Sequence, residues 1–98
     1  MSFRLVFEPF VQTDIDEAYT WYENQQPGTG DDFLTAVEEV YDRLRRYPAV
    51  HRLVYRNVRR ALARQFPYSV YYRIVGRRVE VIAVYHNRRD PSGWQARV

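Results

Sequence analysis

The sequence contains neither cysteine nor lysine. Without cysteine there can be no disulfide framework, no thiolate nucleophile and no zinc ribbon. Without lysine all fifteen basic residues are arginine, so any phosphate loop or acid–base site built on an ammonium group is excluded. No apolar run approaches the roughly 20 residues of a membrane span. The opening MSFRLVFEPF meets an acid at Glu8, which does not suit a signal peptide. Repeats, low-complexity tracts and linkers are missing too. These absences leave one cytoplasmic domain, residues 1–98, as the expectation.

What is present suits a packed core. Of the 98 residues, 46% are hydrophobic, 16% aromatic and 28% charged, a globular rather than a disordered composition. The charge is divided along the chain. Residues 1–42 hold ten acids and one base, Arg4, whereas residues 43–98 hold fourteen arginines and two acids, Glu80 and Asp90. Halves so unlike pair some of their charges internally. The remainder is an arginine-rich surface on the second half, suited to a polyanion or an acidic partner.

The hydrophobic period changes along the chain. Phe3, Leu5 and Phe7 alternate with other residues as a strand does, and Pro9 ends it. Val11, Ile15, Ala18, Tyr19 and Tyr22 follow helical spacing, with Thr13 placed to cap the helix and Asp14, Asp16 and Glu17 near its positive end. Gln26 to Gly30 breaks that helix. A second begins at Asp31-Asp32, carries Phe33, Val37, Val40, Leu44 and Tyr47 on one stripe, and stops at Pro48 with Arg43, Arg45 and Arg46 in its last turn. From there the period is two. Val58 to Phe66, Tyr68 to Val75 and Arg78 to His86 read as strands, the last being the most apolar and therefore central, with Gly76-Arg77 as a hairpin turn. A short strand at Leu53–Tyr55 is a further expectation. The tail from Asn87 is polar, with Trp94 as its apolar anchor.

The order β-α-α-β-β-β predicts a single two-layer α+β domain: a helical hairpin packed on one face of a small, mainly antiparallel sheet. The other face then turns to water or a partner and carries many of the strand arginines.

Few residues offer catalytic chemistry. His51 and His86 are far apart in sequence, so no metal site is expected, and no cofactor. Pro27-Gly28-Thr29-Gly30 reads as a helix-entry turn, since Asp31-Asp32 would repel an anion there. None of the three serines (Ser2, Ser69, Ser92) lies in a nucleophile-elbow context. Two clusters stand out. Arg59, Arg60, Arg64 and Arg73 are interleaved with Tyr68, Tyr71, Tyr72 and Tyr85, and such residues either bind phosphate and stack on bases or form core and ion pairs. Tyr85-His86-Asn87-Arg88-Arg89-Asp90-Pro91 leaves the last strand, where a histidine beside tyrosine and arginine can serve as acid or base, or where Asp90-Pro91 simply turns the chain and pairs with Arg88 or Arg89.

These residues resemble the RelE/ParE family of bacterial toxins from type II toxin–antitoxin modules. The matching pieces are Asp14-Ile15-Asp16-Glu17-Ala18 with Trp21-Tyr22, Pro27-Gly28-x-Gly30-x-x-Phe33, Arg59-Arg60, Phe66-Pro67-Tyr68-x-Val70-x-Tyr72-Arg73, and Ala83-Val84-x-His86-x-Arg88-Arg89-Asp90-Pro91-x-x-Trp94. The resemblance is strongest for the ParE-like, or plasmid stabilisation, branch. It implies a toxin that inhibits DNA gyrase and is neutralised by a cognate antitoxin. The alternative it carries is a RelE-like, metal-independent endoribonuclease acting on mRNA at the ribosome, with Tyr85, His86, Arg64 and Arg73 as its site. Target contacts are expected at Arg59, Arg60, Arg64, Arg73, His86, Arg88 and Arg89. Antitoxin contacts are expected at Tyr19, Trp21, Tyr41 and Tyr55, whose side chains exceed what a thin core covers.

Overall fold

Pro9 does two things at once. It ends strand β1 (Arg4–Phe7) and, with φ −56° and ψ −33°, already has helical geometry, so helix α1 (Phe10–Gln25) begins on the next residue. The helix therefore starts before Thr13, which lies inside it and does not cap it. This moves Asp14 inward: it shares the buried face with Val11 and Ala18. The computed structural model describes residues 2–98.

The turn into helix α2 (Thr29–Arg46) shows why two glycines sit so close together. Gly28 has φ +95°, in the left-handed region that favours glycine. Gly30 is buried at the crossing of the helices, where an added Cβ would come within 2.6 Å of Glu23 and 2.8 Å of the Tyr19 ring. The Glu23 carboxylate accepts hydrogen bonds from the backbone amides of Gly28 and Gly30, at 2.8 and 2.9 Å. It thereby satisfies donors that open a helix. The chain's own Glu23 carboxylate thus occupies these amides, and the segment serves as the entry turn of α2.

After α2, one 3-10 turn (Pro48–Val50) leads to β2 (Arg52–Tyr55), β3 (Val58–Leu62), β4 (Tyr68–Val75) and β5 (Arg78–His86), followed by a short helix α3 (Ser92–Gln95). The five strands form one sheet in the order β1-β5-β4-β3-β2. β1 runs parallel to β5 and the other pairings are antiparallel. β5 is thus an interior strand, but β4 is the middle one.

The helical hairpin covers one face of the sheet. Phe33, Val37, Val40 and Leu44 of α2 meet Val70 and Tyr72 of β4 and Val79, Val81 and Val84 of β5 in the main core. The opposite face is not bare. Val58, Tyr71, Ile82, Ala83, Tyr85 and Trp94 form a second buried cluster, because the tail folds back over the sheet. The Trp94 ring stacks on Tyr71 with centroids 4.2 Å apart. The expectation of one uncovered face is corrected accordingly: three elements of apolar surface are buried, and the third is the tail.

A bulge in β5 makes this possible. Tyr71 pairs with Ala83 and Tyr72 with Val81, so Ile82 is an extra residue. Ahead of it the odd residues Val79 and Val81 face the helices; beyond it the even residue Val84 does, while Tyr85 joins the tail cluster.

Candidate functional site

β1 pairs with β5 only as far as Phe7 opposite Val81. Beyond that point the edge of β5 would offer unpaired backbone groups. Asp14 and Arg97 close it. The Asp14 carboxylate accepts a hydrogen bond from the Val84 amide at 3.0 Å, and the Arg97 guanidinium donates to the Ile82 carbonyl at 3.0 Å. The two side chains also grip each other bidentately, at 2.7 and 2.9 Å. This contact with the carboxylate raises the Arg97 pKa further above its ordinary value.

The end of β5 lies just beyond this plug. Tyr85 and His86 are consecutive strand residues and point to opposite faces. Tyr85 is buried under the tail, with the Arg89 guanidinium 4.0 Å from its ring centre. His86 is half-buried on the helix side, edge-on to Tyr68 with centroids 5.3 Å apart. Its Nδ1 accepts a hydrogen bond from the Arg88 amide at 3.0 Å. Trp21, Tyr22, Pro67, Tyr68 and His86 line a cleft of about 370 Å³ there. Trp21 is 57% exposed at its mouth. Burial raises the pKa of the Tyr68 hydroxyl, so this ring remains a neutral phenol at neutral pH. Asp90 does not pair with Arg88 or Arg89 among the described hydrogen bonds; it accepts from the Ser92 amide at 2.9 Å and starts α3.

The arginines expected to share one binding face are dispersed. Arg59 faces the helices, opposite Tyr72, and donates to the carbonyls of Ala49 and His51 at 3.0 and 2.7 Å. It anchors the 3-10 turn, as Tyr72 does through its hydroxyl bond to the Pro48 carbonyl. Arg60 points to the other face and donates from Nε to the Ser69 hydroxyl at 2.9 Å. Arg73 is paired with Glu80 at 2.8 Å on that same face. Arg64 lies in the exposed bend between β3 and β4, and Arg88 and Arg89 are exposed beyond β5.

The four aromatic residues expected at an antitoxin interface also separate. Trp21 is open and Tyr19 half-buried on α1. Tyr55 is half-buried against Trp94, with ring centroids 5.7 Å apart. Tyr41 is only 4% exposed and packs on Phe7, so the core does cover it and it offers no free side-chain surface. Its place was visible in the α2 stripe, four residues after Val37. Open apolar surface that sequence reasoning missed lies at Phe10, Leu53 and Leu62, each more than half exposed. No group of three or more His, Asp or Glu side chains among the described residues could hold a metal ion. No described helix is long and apolar enough to cross a membrane.

Residues 5–91 match the family model described as the ParE toxin of the type II toxin–antitoxin system parDE. The chain belongs to the ParE toxin family. Among relatives, it is similar to the protein called Toxin ParE2 of two Mycobacterium tuberculosis strains, CDC 1551 / Oshkosh and ATCC 25618 / H37Rv. With each it is 26% identical over 99 aligned residues, which cover all of this chain and 94% of the relative. Its fold is similar to that of a solved chain titled "Chromosomal ParDE TA system from P. aeruginosa". The TM-score is 0.77 at 17% identity, covering 87% of this chain and 96% of the other. The matched range takes in the Phe66-Pro67-Tyr68 and His86-to-Pro91 segments, and the observed order has one strand more than β-α-α-β-β-β, the short β2. The chain is a ParE-like toxin of a toxin–antitoxin module.

Proposed function

We propose that this ParE-family toxin inhibits DNA gyrase by binding alone, with no chemistry of its own, and is held inactive by a cognate antitoxin. What supports binding over RNA cleavage is the failure of the nuclease residues to converge. Tyr85 and His86 lie on opposite faces of the sheet, and Tyr85 is buried. Arg73 is five positions along β4 from Tyr68, the partner of His86, a distance of about 17 Å at the rise of a strand. Its guanidinium is also already paired with Glu80. General acid–base catalysis requires groups within hydrogen-bond reach of one reacting centre, and these residues do not meet that condition.

The free cationic groups after β5, Arg88 and Arg89, are the target contacts on this reading. Antitoxin contacts centre on the open aromatic surface of α1 around Trp21. The test is induction of the chain without its partner, followed by plasmid supercoiling and transcript integrity. Inhibited supercoiling with intact mRNA is expected. Transcripts cut in a ribosome-dependent assay, with supercoiling untouched, would replace this reading with the nuclease.

A further inference from the structure

Arg52 and Arg60 are direct cross-strand partners in the β2–β3 pairing. Like charges placed opposite one another on a sheet are destabilising. Here the pair has no internal compensation. Only Glu80 and Asp90 supply negative charge in residues 43–98. Glu80 is engaged by Arg73 and Arg78, and Asp90 by the Ser92 amide. Among the described residues, neither Arg52 nor the two terminal nitrogens of Arg60 has a hydrogen-bonded or ionic partner.

The site behind Arg60 is built. Ser69 is fully buried. Its hydroxyl accepts from Arg60 Nε at 2.9 Å and donates to Asn87 Oδ1 at 2.6 Å. This relay holds the guanidinium through Nε, while both terminal nitrogens keep their donors unused among the described hydrogen bonds. Arg52 and Arg60 line the same cleft of about 470 Å³, with Leu53, Val54 and Leu62 as its apolar walls. The cleft is open to solvent, with Leu53 and Leu62 each 52% exposed, so a dissolved ligand can reach both guanidiniums.

We propose that this cleft is a binding site for a phosphate group, with Arg52 and Arg60 as its ligands and Ser69 and Asn87 as positioning residues. One guanidinium already satisfies both oxygens of a carboxylate, as Arg97 does for Asp14. Two guanidiniums side by side match a group with more acceptor oxygens and more charge. The site lies on the opposite face of the sheet from the His86 cleft and does not depend on which target the toxin inhibits.

The test is titration of isotope-labelled protein with inorganic phosphate, a 5′-mononucleotide and a short single-stranded DNA, followed at the Arg60 Nε–H NMR signal and by fluorescence anisotropy. A response to inorganic phosphate or to the mononucleotide, with a Kd tighter than about 1 mM, supports a site for a free phosphate group. A response to DNA alone supports a backbone phosphate, and then the slope of log K against log salt falls by about 1 for each lost contact in Arg52→Gln and Arg60→Gln. Ser69→Ala keeps both charges and is expected to weaken binding several-fold; should it fail to fold, Asn87→Ala interrupts the same relay from its exposed end. No response to any of the three ligands overturns the proposal. So does unchanged binding in the double Arg variant, or a response only to a polyglutamate peptide, which would assign the surface to an acidic protein.

Discussion

Arg97 grips both carboxylate oxygens of Asp14, a residue 83 positions earlier in the chain. The pair does the work of a missing strand. β1 stops at Phe7, and the two side chains take over the backbone groups of Ile82 and Val84 that it would otherwise have paired. The side chain of Asp14 is 4% exposed and that of Arg97 14%, so little solvent screens either one.

Arg97→Ala is therefore expected to destabilise the fold by about 3–5 kcal/mol, because it strands a buried carboxylate. An apolar double replacement, Asp14→Leu with Arg97→Met, should recover only part of this. It removes the stranded charge but leaves two backbone groups unpaired, each costing about 1–3 kcal/mol. Urea unfolding of the single and double variants checks both statements; full recovery in the double variant would mean that the edge needs no cover.

The two turn glycines should respond differently to substitution. Gly28→Asn keeps a residue that tolerates positive φ and meets open space, since nothing stands within 4 Å of its Cβ position. It should cost well under 1 kcal/mol. Gly30→Ala has ordinary helical geometry but no room, and should cost about 1–3 kcal/mol through displaced Tyr19 and Glu23. Thermal unfolding of the two variants, in the reverse order, would contradict the close crossing of α1 and α2.

Glu80 supplies a pH dependence with a definite sign. The hydrogen bond from Arg73, aided by Arg78, holds its carboxyl below the usual range. A carboxyl lowered by folding contributes stability above its unfolded pKa of about 4.3, and that contribution is lost as pH falls through the folded value. Glu80→Gln should thus be most damaging at neutral pH and converge on the parent protein in acid. Asp90, lowered chiefly by the Ser92 amide, acts in the same direction and leaves some acid sensitivity in the variant. Stability curves that diverge as pH falls would refute the assignment.

The charges after β5 should matter for activity more than for folding. Arg88 is exposed, and Arg89 contributes an exposed stacking contact to Tyr85 worth about 0.5–1 kcal/mol. The double change Arg88→Ala, Arg89→Ala is expected to fold and to relieve toxicity, and His86→Ala to weaken it only partly. Melting temperature and plating efficiency measured together decide this. A folded, fully toxic double variant would place the target contacts elsewhere.

The antitoxin complex should survive high salt if Trp21 and its neighbours form the interface. At about 1 M salt the Debye length is about 3 Å, which removes most charge steering but leaves apolar contacts. Size-exclusion chromatography in that buffer checks it; complete dissociation would point to the arginines instead. Trp21→Ala should weaken the complex without unfolding the toxin, as the side chain is mostly open.

How far the sequence could be read depended on whether the signal was local. β4 and β5 are bounded as the pattern predicts because Pro67 and Gly76-Arg77 punctuate runs of β-branched and aromatic residues. The start of α1 was obscured because Pro9 suits both the end of a strand and the first position of a helix. The bulge was invisible for a different reason. Val81-Ile82-Ala83-Val84 is apolar throughout, so it carries no alternation from which a change of face could be read. The Asp14–Arg97 pair leaves no local trace at all: one arginine among fifteen meets one acid among twelve. Dispersal of the strand arginines follows from strand parity, since Arg59 and Arg60 are neighbours in sequence and opposites in space.

The parallel pairing of β1 with β5 also sets a timetable. The helical hairpin and the antiparallel strands can assemble from segments close together in the chain, but Arg4 finds its place only beside Arg78. Contacts of such long sequence separation form slowly, since loop closure must be met before they contribute. Any state in which β1 has not docked therefore leaves the flank of β5 open. An unpaired strand edge of that kind is a template for strand-to-strand association with other copies.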